Sequence, residues 1–226
     1  MPHSPFYDSY ASFKRYTTPQ SGRKQAARFD RLIWQPGACQ ADHSFLEIGC
    51  GTGAFLLYLS EKGCLNFHGI DLDPALADVL PVQTRDHFIC GDIRAELAQR
   101  TLGPFDRIVA LDVLEHFTAD EARGLLLDLK PHMTLGGRVI VKVPNASSPW
   151  GLQYQNGDLT HRTAFTPSSM DQLAQSCGFK VVAVLPVREG SRRRMITDRL
   201  AHGFLSWALL TPPPIWTANF VAVLEV

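Results

Sequence analysis

Cysteine is scarce in this sequence, and its few residues form no recognisable pattern. The cysteines are Cys39, Cys50, Cys64, Cys90 and Cys177. Their number is odd and no C-x-x-C pair is present. A disulfide framework or a zinc cluster shows itself by such pairing and spacing, so neither is predicted. We expect free thiols in a reducing compartment, which indicates a cytoplasmic location.

Long apolar runs and an excess of one charge are also missing. The late stretch Phe204–Leu210 is too short to cross a bilayer before Pro212 interrupts it, and residues 1–30 lack the apolar core of a signal peptide. Lys+Arg and Asp+Glu both number 22, so the formal charge is zero. Broad nucleic-acid binding relies on basic surface that releases counterions. We therefore expect a soluble protein with no nucleic-acid partner.

What the sequence does contain is enough apolar material for one core. Hydrophobic residues make up 45% of 226 residues and charged residues 19%, which excludes disorder as the dominant state. From Phe45 onward, short apolar runs alternate with helix-sized patterns, as in βαβ units around a parallel sheet. Seven strands are predicted: Phe45–Ile48, Asn66–Ile70, His87–Cys90, Arg107–Leu111, Arg138–Val143, Phe179–Val187 and Asn219–Leu224.

The predicted fold class is α/β, with a doubly wound, mostly parallel seven-stranded sheet. No ordinary crossover helix joins the last two strands, which predicts an antiparallel end to the sheet. We divide the chain into an N-terminal helical cover (1–40), which mixes aromatic and basic residues such as Phe13 and Lys14, and a main domain (41–226). An insertion (188–216) separates the last two strands. Helix starts are predicted at Asp73-Pro74, at Thr118 with Glu121, and at Thr166-Pro167.

A glycine-rich turn follows the first predicted strand. Gly49, Gly51 and Gly53 permit a tight turn and let a ligand lie against bare backbone. Dinucleotide sites place a pyrophosphate at such a turn, and the carboxylate of Glu47, two residues before the first glycine, would repel it. S-adenosylmethionine carries an ammonium and a sulfonium instead of a phosphate. These positive charges suit the acidic residues that the sequence places at the predicted strand ends, so this cofactor is favoured over NAD.

Two further acids lie at predicted strand ends. Asp71 ends the second strand, where an acid can bridge ribose hydroxyls. Asp92 follows the third strand and is placed to meet an adenine amino group, with Ile93 packing on the ring. The alternative for Asp92 is the capping of the next helix, as we also expect for Asp73.

Five segments in order carry a resemblance to a known family. LEIGCGTG, GIDLDP, CGDI, FDRIVALDVLEHF and LGGRVIVKVPN resemble the class I S-adenosylmethionine-dependent methyltransferases over roughly Ser44 to Phe179. DVLEH and DLTHRTAFTPSSMDQLAQSCGF are similar to small-molecule and sugar-type members, and more distantly to ubiquinone-pathway O-methyltransferases. The resemblance implies the Rossmann-like methyltransferase fold and these cofactor contacts: Glu47, Gly49, Cys50, Gly51, Gly53, Asp71, Leu72, Asp92, Ile93 and Asp112.

Two histidines are candidates for the catalytic base. Methylation of a hydroxyl requires removal of its proton, and histidine titrates in the useful range. His116 follows the fourth strand, and His161 lies in the connection after the fifth. A structural or cofactor-contacting role is the alternative for His116, and a plain loop hydrogen bond is the alternative for His161. We predict a site without metal, although Asp112 and Glu115 together with the two histidines form a possible metal-binding set.

The segment 188–216 has two interpretations. Arg192, Arg193 and Arg194 precede an apolar run that ends at Pro212. Such a segment can contact anionic lipid or a phosphorylated, lipid-linked substrate. The commoner explanation, which we favour here, is a helix that packs into the core behind a solvated basic turn.

The combined features predict methyl transfer from S-adenosylmethionine to a small-molecule or glycan-like acceptor, most readily at oxygen. The sequence lacks the Asn/Asp-Pro-Pro-Tyr motif and the Pro-Cys nucleophile of enzymes that methylate amino groups or cytosine. Two alternatives stay open, a non-catalytic S-adenosylmethionine-binding protein and a nicotinamide-dependent oxidoreductase. Glu47 disfavours the second of these.

Overall fold

Helices and strands alternate through the chain in a computed structural model that describes residues 16–99 and 102–226. The strands are β1 (Phe45–Ile48), β2 (Phe67–Asp71), β3 (Phe88–Cys90), β4 (Phe105–Leu111), β5 (Met133–Pro144), β6 (Lys180–Pro186) and β7 (Asn219–Glu225). The α-helices are α1 (Arg23–Phe29), α2 (Ala54–Glu61), α3 (Ile93–Ala98), α4 (Ala119–Leu129), α5 (Leu152–Gln155), α6 (Pro167–Ser176) and α7 (Arg192–Ala208). A π-helical turn, Asp30–Trp34, continues α1, and 3-10 helices cover Pro74–Asp78, Val82–His87, Leu114–His116 and Lys130–His132.

The seven strands form one sheet in the order β3-β2-β1-β4-β5-β7-β6. All pairs from β3 across to β5 are parallel, and β7 runs antiparallel to both of its neighbours, β5 and β6. The prediction of a mostly parallel, doubly wound sheet with an antiparallel end is confirmed. Strands β1 to β6 all finish at one edge of the sheet, and β7 starts there. In open α/β sheets this carboxyl edge is where ligands bind.

Apolar side chains of the central strands pack on both faces of the sheet. On one face, Ile108 and Val141 pack against α4 and α6. On the other, Val109 and Ile140 pack against α1 and α2. Successive side chains of a strand point to opposite faces, so the continuous apolar runs of β4 and β5 serve both layers.

The predicted helix starts are present. Asp73 accepts a hydrogen bond from the Ala75 backbone nitrogen, and Thr118 forms a reciprocal capping box with Glu121. Thr166 caps α6 in the same way through Ser169. The element after Asp73 is a 3-10 helix and not an α-helix. Pro81 limits the length of this element, because it disfavours the helical conformation of Leu80 and lacks the N–H that would continue a helix.

The favoured interpretation of the segment 188–216 as a core-packing helix is wrong. Helix α7 forms within it, and none of its residues is buried. Its bulkiest apolar residues fall on the side that faces away from the domain, while its polar side makes the contacts described below. The fold does not test the alternative, in which this segment contacts anionic lipid or a lipid-linked substrate. Over the described residues, no helix is both long and apolar enough to cross a membrane.

The N-terminal cover is described only in part. Helix α1 and its π-helical continuation pack on α2, where Phe29 contacts Phe55 and Tyr58. Phe13 and Lys14, predicted to belong to this cover, lie outside the described residues. The division at residue 40 stays a prediction.

Candidate active site

The three glycines of the turn after β1 all have left-handed backbone conformations. Their φ angles are +67° at Gly49, +51° at Gly51 and +77° at Gly53. A Cβ at position 49 would lie 2.6 Å from a Val113 methyl carbon, and one at position 53 would lie 2.5 Å from a Leu80 methyl carbon. Among the described residues, a Cβ at Gly51 would meet no atom within 4 Å. Gly49 and Gly53 are thus needed for packing, while Gly51 borders open space in which a ligand can approach the backbone.

Asp71 is fixed against this turn from the neighbouring strand. Its Oδ2 accepts a hydrogen bond from the Gly51 nitrogen at 2.9 Å, and its Oδ1 accepts one from the Asp73 nitrogen at 3.2 Å. Burial raises the pKa of Asp71 despite these bonds. The carboxylate therefore stands at the end of β2, as predicted for a ribose contact, and that contact stays a prediction.

Glu47 is a buried carboxyl group next to the same turn. It is 3% exposed, and its Oε2 has no hydrogen-bond partner among the described residues. Burial, with a further contribution from the charge of Asp71, raises its pKa well above the usual value. A buried acid with an unsatisfied oxygen fits a cationic ligand group, which favours its ionised form, and suits a pyrophosphate poorly, because an anion disfavours that form. The residues of the turn therefore fit S-adenosylmethionine.

The remaining predicted cofactor residues have more varied surroundings. Leu72 is 51% exposed at the rim, whereas Ile93 is buried. Asp92 caps α3, its Oδ1 accepting from the nitrogens of Arg94 and Ala95. This is the alternative role considered above, and an adenine contact stays a prediction.

In the half of the carboxyl edge formed by β1 to β3, called the cofactor half below, two further side chains have raised pKa values. The Cys50 thiol is buried, and burial together with Glu47 and Asp71 raises its pKa, which keeps it neutral. Tyr16 was missed by the sequence analysis. Its hydroxyl hydrogen-bonds to Asp73, and burial and this bond raise its pKa. No local pattern could have revealed a contact between residues so far apart in the chain.

Asp112 forms an ion pair that the sequence analysis also missed. It has a left-handed backbone with φ +57°, which Asp tolerates better than most residues. Its Oδ2 lies 2.5 Å from Nζ of Lys142, whose side chain is only 8% exposed. The signal was a lysine within the apolar strand β5, because a buried lysine requires a partner.

The structure brings the two predicted histidines together. His116 lies in the 3-10 helix after β4 and His161 in the loop after α5, and their rings meet edge to face with centroids 4.7 Å apart. The backbone nitrogens of Arg162 and Thr163 donate to the Glu115 carbonyl oxygen at 2.7 and 3.1 Å. These bonds hold the loop of His161 on the helix of His116.

Hydrogen-bond partners determine which histidine nitrogens carry protons. Nδ1 of His161 lies 3.0 Å from the Gln155 carbonyl oxygen, which only accepts, so Nδ1 is the donor. Thr160 gives its hydroxyl proton to Asp158 at 2.5 Å, so at 2.9 Å it accepts from Nδ1 of His116. In the neutral rings, the proton-accepting lone pair is on Nε2 in both cases.

The same region contains the possible metal-binding set in reduced form. One ligand atom each from Glu115, His116 and His161 lies within 4.8 Å of the others. Asp112, the fourth predicted member, instead pairs with Lys142. Within the part of the chain that the structure describes, the set that could hold an ion therefore has three protein ligands.

The loop after β5 is anchored to the segment that precedes β7. Nδ2 of the fully buried Asn145 donates to the carbonyl oxygens of Ile215 and Thr217 at 2.8 and 3.0 Å. The Ser148 hydroxyl donates to the Trp216 carbonyl oxygen at 2.5 Å. The end of the insertion thus supports the loop that leads to His161, and it does so at the carboxyl edge of the sheet.

Methyltransferases are found among the known proteins with similar sequences and structures. Residues 20–184 match the family model described as a methyltransferase domain. The magnesium-protoporphyrin O-methyltransferase of Rhodobacter capsulatus is 26% identical over 167 residues, which span 70% of this chain and 66% of that protein.

The structural matches extend over nearly the whole chain. A SAM-dependent methyltransferase from Archaeoglobus fulgidus has a TM-score of 0.67 at 18% identity, with 99% of this chain and 100% of that chain covered. The magnesium protoporphyrin IX methyltransferase from Synechocystis PCC 6803, with bound SAM, has a TM-score of 0.59 at 14% identity, with 98% and 91% covered. At these identities the likeness shows the fold. Together with the family match over residues 20–184, it establishes that the chain belongs to the class I S-adenosylmethionine-dependent methyltransferases.

Proposed function

We propose that the protein transfers a methyl group from S-adenosylmethionine to an oxygen atom of a small-molecule acceptor, glycan-type acceptors included. The observation that carries this proposal is the paired arrangement of His116 and His161 at the carboxyl edge of the sheet, where each ring donates from Nδ1, so that the neutral ring has its lone pair on Nε2. The O-methyltransferase activity in the name of the Rhodobacter capsulatus relative supports oxygen as the target.

The cofactor is held by residues of the β1–β3 half of the edge. Gly51 offers bare backbone, Asp71 would bind ribose hydroxyls, and Glu47 would meet the positively charged methionine end. When bound, S-adenosylmethionine supplies an electrophilic methyl group on a sulfonium, which is already a good leaving group. The protein therefore contributes mainly alignment and exclusion of water.

Proton removal is the chemical step that side chains must provide. As the acceptor oxygen forms its bond to the methyl carbon, the electrons of the carbon–sulfur bond pass to sulfur, and the hydroxyl proton passes to Nε2 of a histidine. His161 is the better base. The Gln155 carbonyl fixes its tautomer because it accepts from Nδ1, and the dipole of this carbonyl stabilises the imidazolium that forms. His116, bonded through Thr160 to Asp158, is the second candidate.

A matched pair of variants tests this role once an acceptor is found. A panel of hydroxylated metabolites, nucleotide sugars, lipid-linked sugars and magnesium-protoporphyrin is screened for acceptor-dependent formation of S-adenosylhomocysteine. His161→Asn keeps a donor for the Gln155 carbonyl but removes Nε2. We expect a fall in kcat of about 10²- to 10⁴-fold with unchanged cofactor affinity. His87→Asn is the control, because the Nδ1 of His87 bonds to the Phe67 carbonyl in the same way before β3, away from the carboxyl edge.

Three results would contradict the proposal in different ways. Full activity in His161→Asn and His116→Asn would remove the base assignment. Activity abolished by EDTA and restored by Mg²⁺ would assign Glu115, His116 and His161 to a metal ion instead. Tight cofactor binding without any acceptor-dependent turnover would favour a non-catalytic binding protein.

A further inference from the structure

Helix α7 exposes a row of large apolar side chains. Ile196, Leu200, Phe204 and Trp207 follow one another at intervals of four, four and three residues, so they share one side of the helix. Each is more than 60% exposed, and Trp207 reaches 81%. Leu210, just beyond the helix, is fully exposed. A contiguous apolar surface of this kind marks a site of interaction.

The opposite side of α7 attaches it to the domain. His202 accepts a hydrogen bond from Trp150 Nε1 at 2.9 Å and stacks on Trp216 with centroids 5.3 Å apart. Trp216 Nε1 also donates to the Ser206 hydroxyl at 2.8 Å. Asp198 pairs with His202 one turn away. The polar side therefore faces the protein and the apolar row faces outward, the reverse of an ordinary surface helix.

The charges around the apolar row are basic. Arg192, Arg193 and Arg194 form the first turn of α7, and Arg199 lies beside the row. The two acidic residues of this stretch are engaged, Glu189 with Arg28 and Asp198 with His202. An exposed apolar face with arginines at one end and a tryptophan at the other is complementary to the surface of an anionic bilayer.

We propose that α7 docks on an anionic lipid surface, with Ile196, Leu200, Phe204 and Trp207 entering the headgroup region and the arginines contacting lipid phosphates. The arginines favour an anionic lipid over a second copy of this chain, because the same face of a second copy carries the same arginines, and its acidic residues Glu189 and Asp198 already have partners.

Docking there would place the acceptor side of the active site at the membrane. Trp150 belongs to the loop that leads to His161, and the segment that follows α7 supports the same loop. If the proposed function holds, the acceptor is an oxygen-bearing molecule that partitions into or is anchored in the bilayer. This second step rests on the proposed function, whereas docking itself does not.

Vesicle co-sedimentation of the full chain tests docking without any assay of activity. We expect binding to phosphatidylcholine vesicles that contain about 30 mol% phosphatidylglycerol, and much weaker binding to pure phosphatidylcholine. Replacing all three arginines, Arg192→Gln, Arg193→Gln and Arg194→Gln, should weaken binding by about 100-fold, whereas the triple Lys replacement should retain it. The double variant Leu200→Ser, Phe204→Ser should weaken binding by about tenfold or more.

A matched control replaces apolar residues of similar exposure elsewhere. Leu65 and Leu135 are 86% and 101% exposed and lie away from the carboxyl edge. The variant Leu65→Ser, Leu135→Ser should bind vesicles like the parent. Trp207 provides a second readout, a blue shift of fluorescence on docking that Trp207→Phe removes.

The proposal is overturned if the unmodified protein does not bind anionic vesicles. It is also overturned if the variant Leu200→Ser, Phe204→Ser binds them as strongly as the unmodified protein. A parent dimer that dissociates in the apolar-row variant, without vesicle binding, would assign α7 to a subunit interface. Cofactor affinity is measured for every variant. Vesicle binding without methyl transfer would support docking and contradict the proposed function. Methyl transfer without vesicle binding would support the proposed function and contradict docking.

Discussion

The two halves of the carboxyl edge are built in different ways. In the cofactor half, the turn of Gly49 to Gly53 and the acid that supports it lie close in the chain, since Gly51 and Asp71 are 20 residues apart. In the acceptor half, the equivalent contacts span longer distances. Thr160 bonds to His116 across 44 residues, and Trp150 to His202 across 52.

This difference reflects what each half must recognise. The cofactor is the same for every member of the family, and short turns fixed by glycine conformation and strand ends are enough to hold it. The acceptor surface is assembled by loops and by the insertion, which tolerate change because they lie outside the core. Cofactor binding should therefore be weakened by local changes of the backbone in the glycine turn. Acceptor binding should be weakened by changes far from the reacting atoms.

Alanine at Gly49 should cause the largest effect in the cofactor half. A Cβ there combines a left-handed φ of +67° with a 2.6 Å approach to Val113. Together, strain and overpacking should lower the free energy of unfolding by about 2–5 kcal/mol. Thermal or urea unfolding measures this directly.

Gly51→Ala provides the matched comparison. Its φ is +51°, but the new Cβ would meet no atom of residues 16–99 and 102–226 within 4 Å. We expect a cost to stability of only about 1–2 kcal/mol from the backbone strain, with a disproportionate loss of cofactor affinity. Equal stability of the two variants, or full cofactor binding by Gly51→Ala, would contradict the roles assigned to these glycines.

The same contrast explains what the sequence could predict. Strand β1 was predicted to the residue, and the glycine turn, Asp71 and the helix caps depend on neighbours close in sequence. The hydrogen bond between Thr160 and His116 and the ion pair of Asp112 with Lys142 join residues 44 and 30 positions apart. The lysine within the apolar strand β5 signals that a partner is needed, but no local pattern shows which residue supplies it. Helix α7 was misjudged for a related reason. Periodicity predicts an apolar face but does not say whether that face points inward.

Glu47 should make cofactor binding dependent on pH. Burial and Asp71 raise its pKa in the folded protein above the usual 4.5. Its contribution to stability is therefore fully present below pH 4.5 and is lost as the pH rises through the raised value. A cationic ligand favours the ionised carboxylate, so affinity should increase over the same range as binding releases a proton.

Glu47→Gln separates these two effects. Affinity for S-adenosylmethionine should fall by about 1.5–3 kcal/mol and lose this pH dependence, while the free protein should lose less stability with rising pH. Calorimetry in buffers of different ionisation enthalpy counts the protons released. An identical proton count in parent and variant would show that another group is responsible.

Trp150→Phe should have the smallest effect and is confined to the acceptor half. The change removes the hydrogen bond from Trp150 Nε1 to His202 Nε2, which is partly exposed, so unfolding should become easier by only about 0.5–1 kcal/mol. Because this bond links α7 to the loop that leads to His161, the KM for the acceptor should rise about two- to fivefold, with cofactor affinity unchanged. Trp34→Phe is the control, since Trp34 stacks on Phe45 and packs against the core cluster that contains Phe29 of α1 and Phe55 of α2. A loss of cofactor affinity in Trp150→Phe, or an equal rise of KM in Trp34→Phe, would mean that the two halves of the edge are not independent.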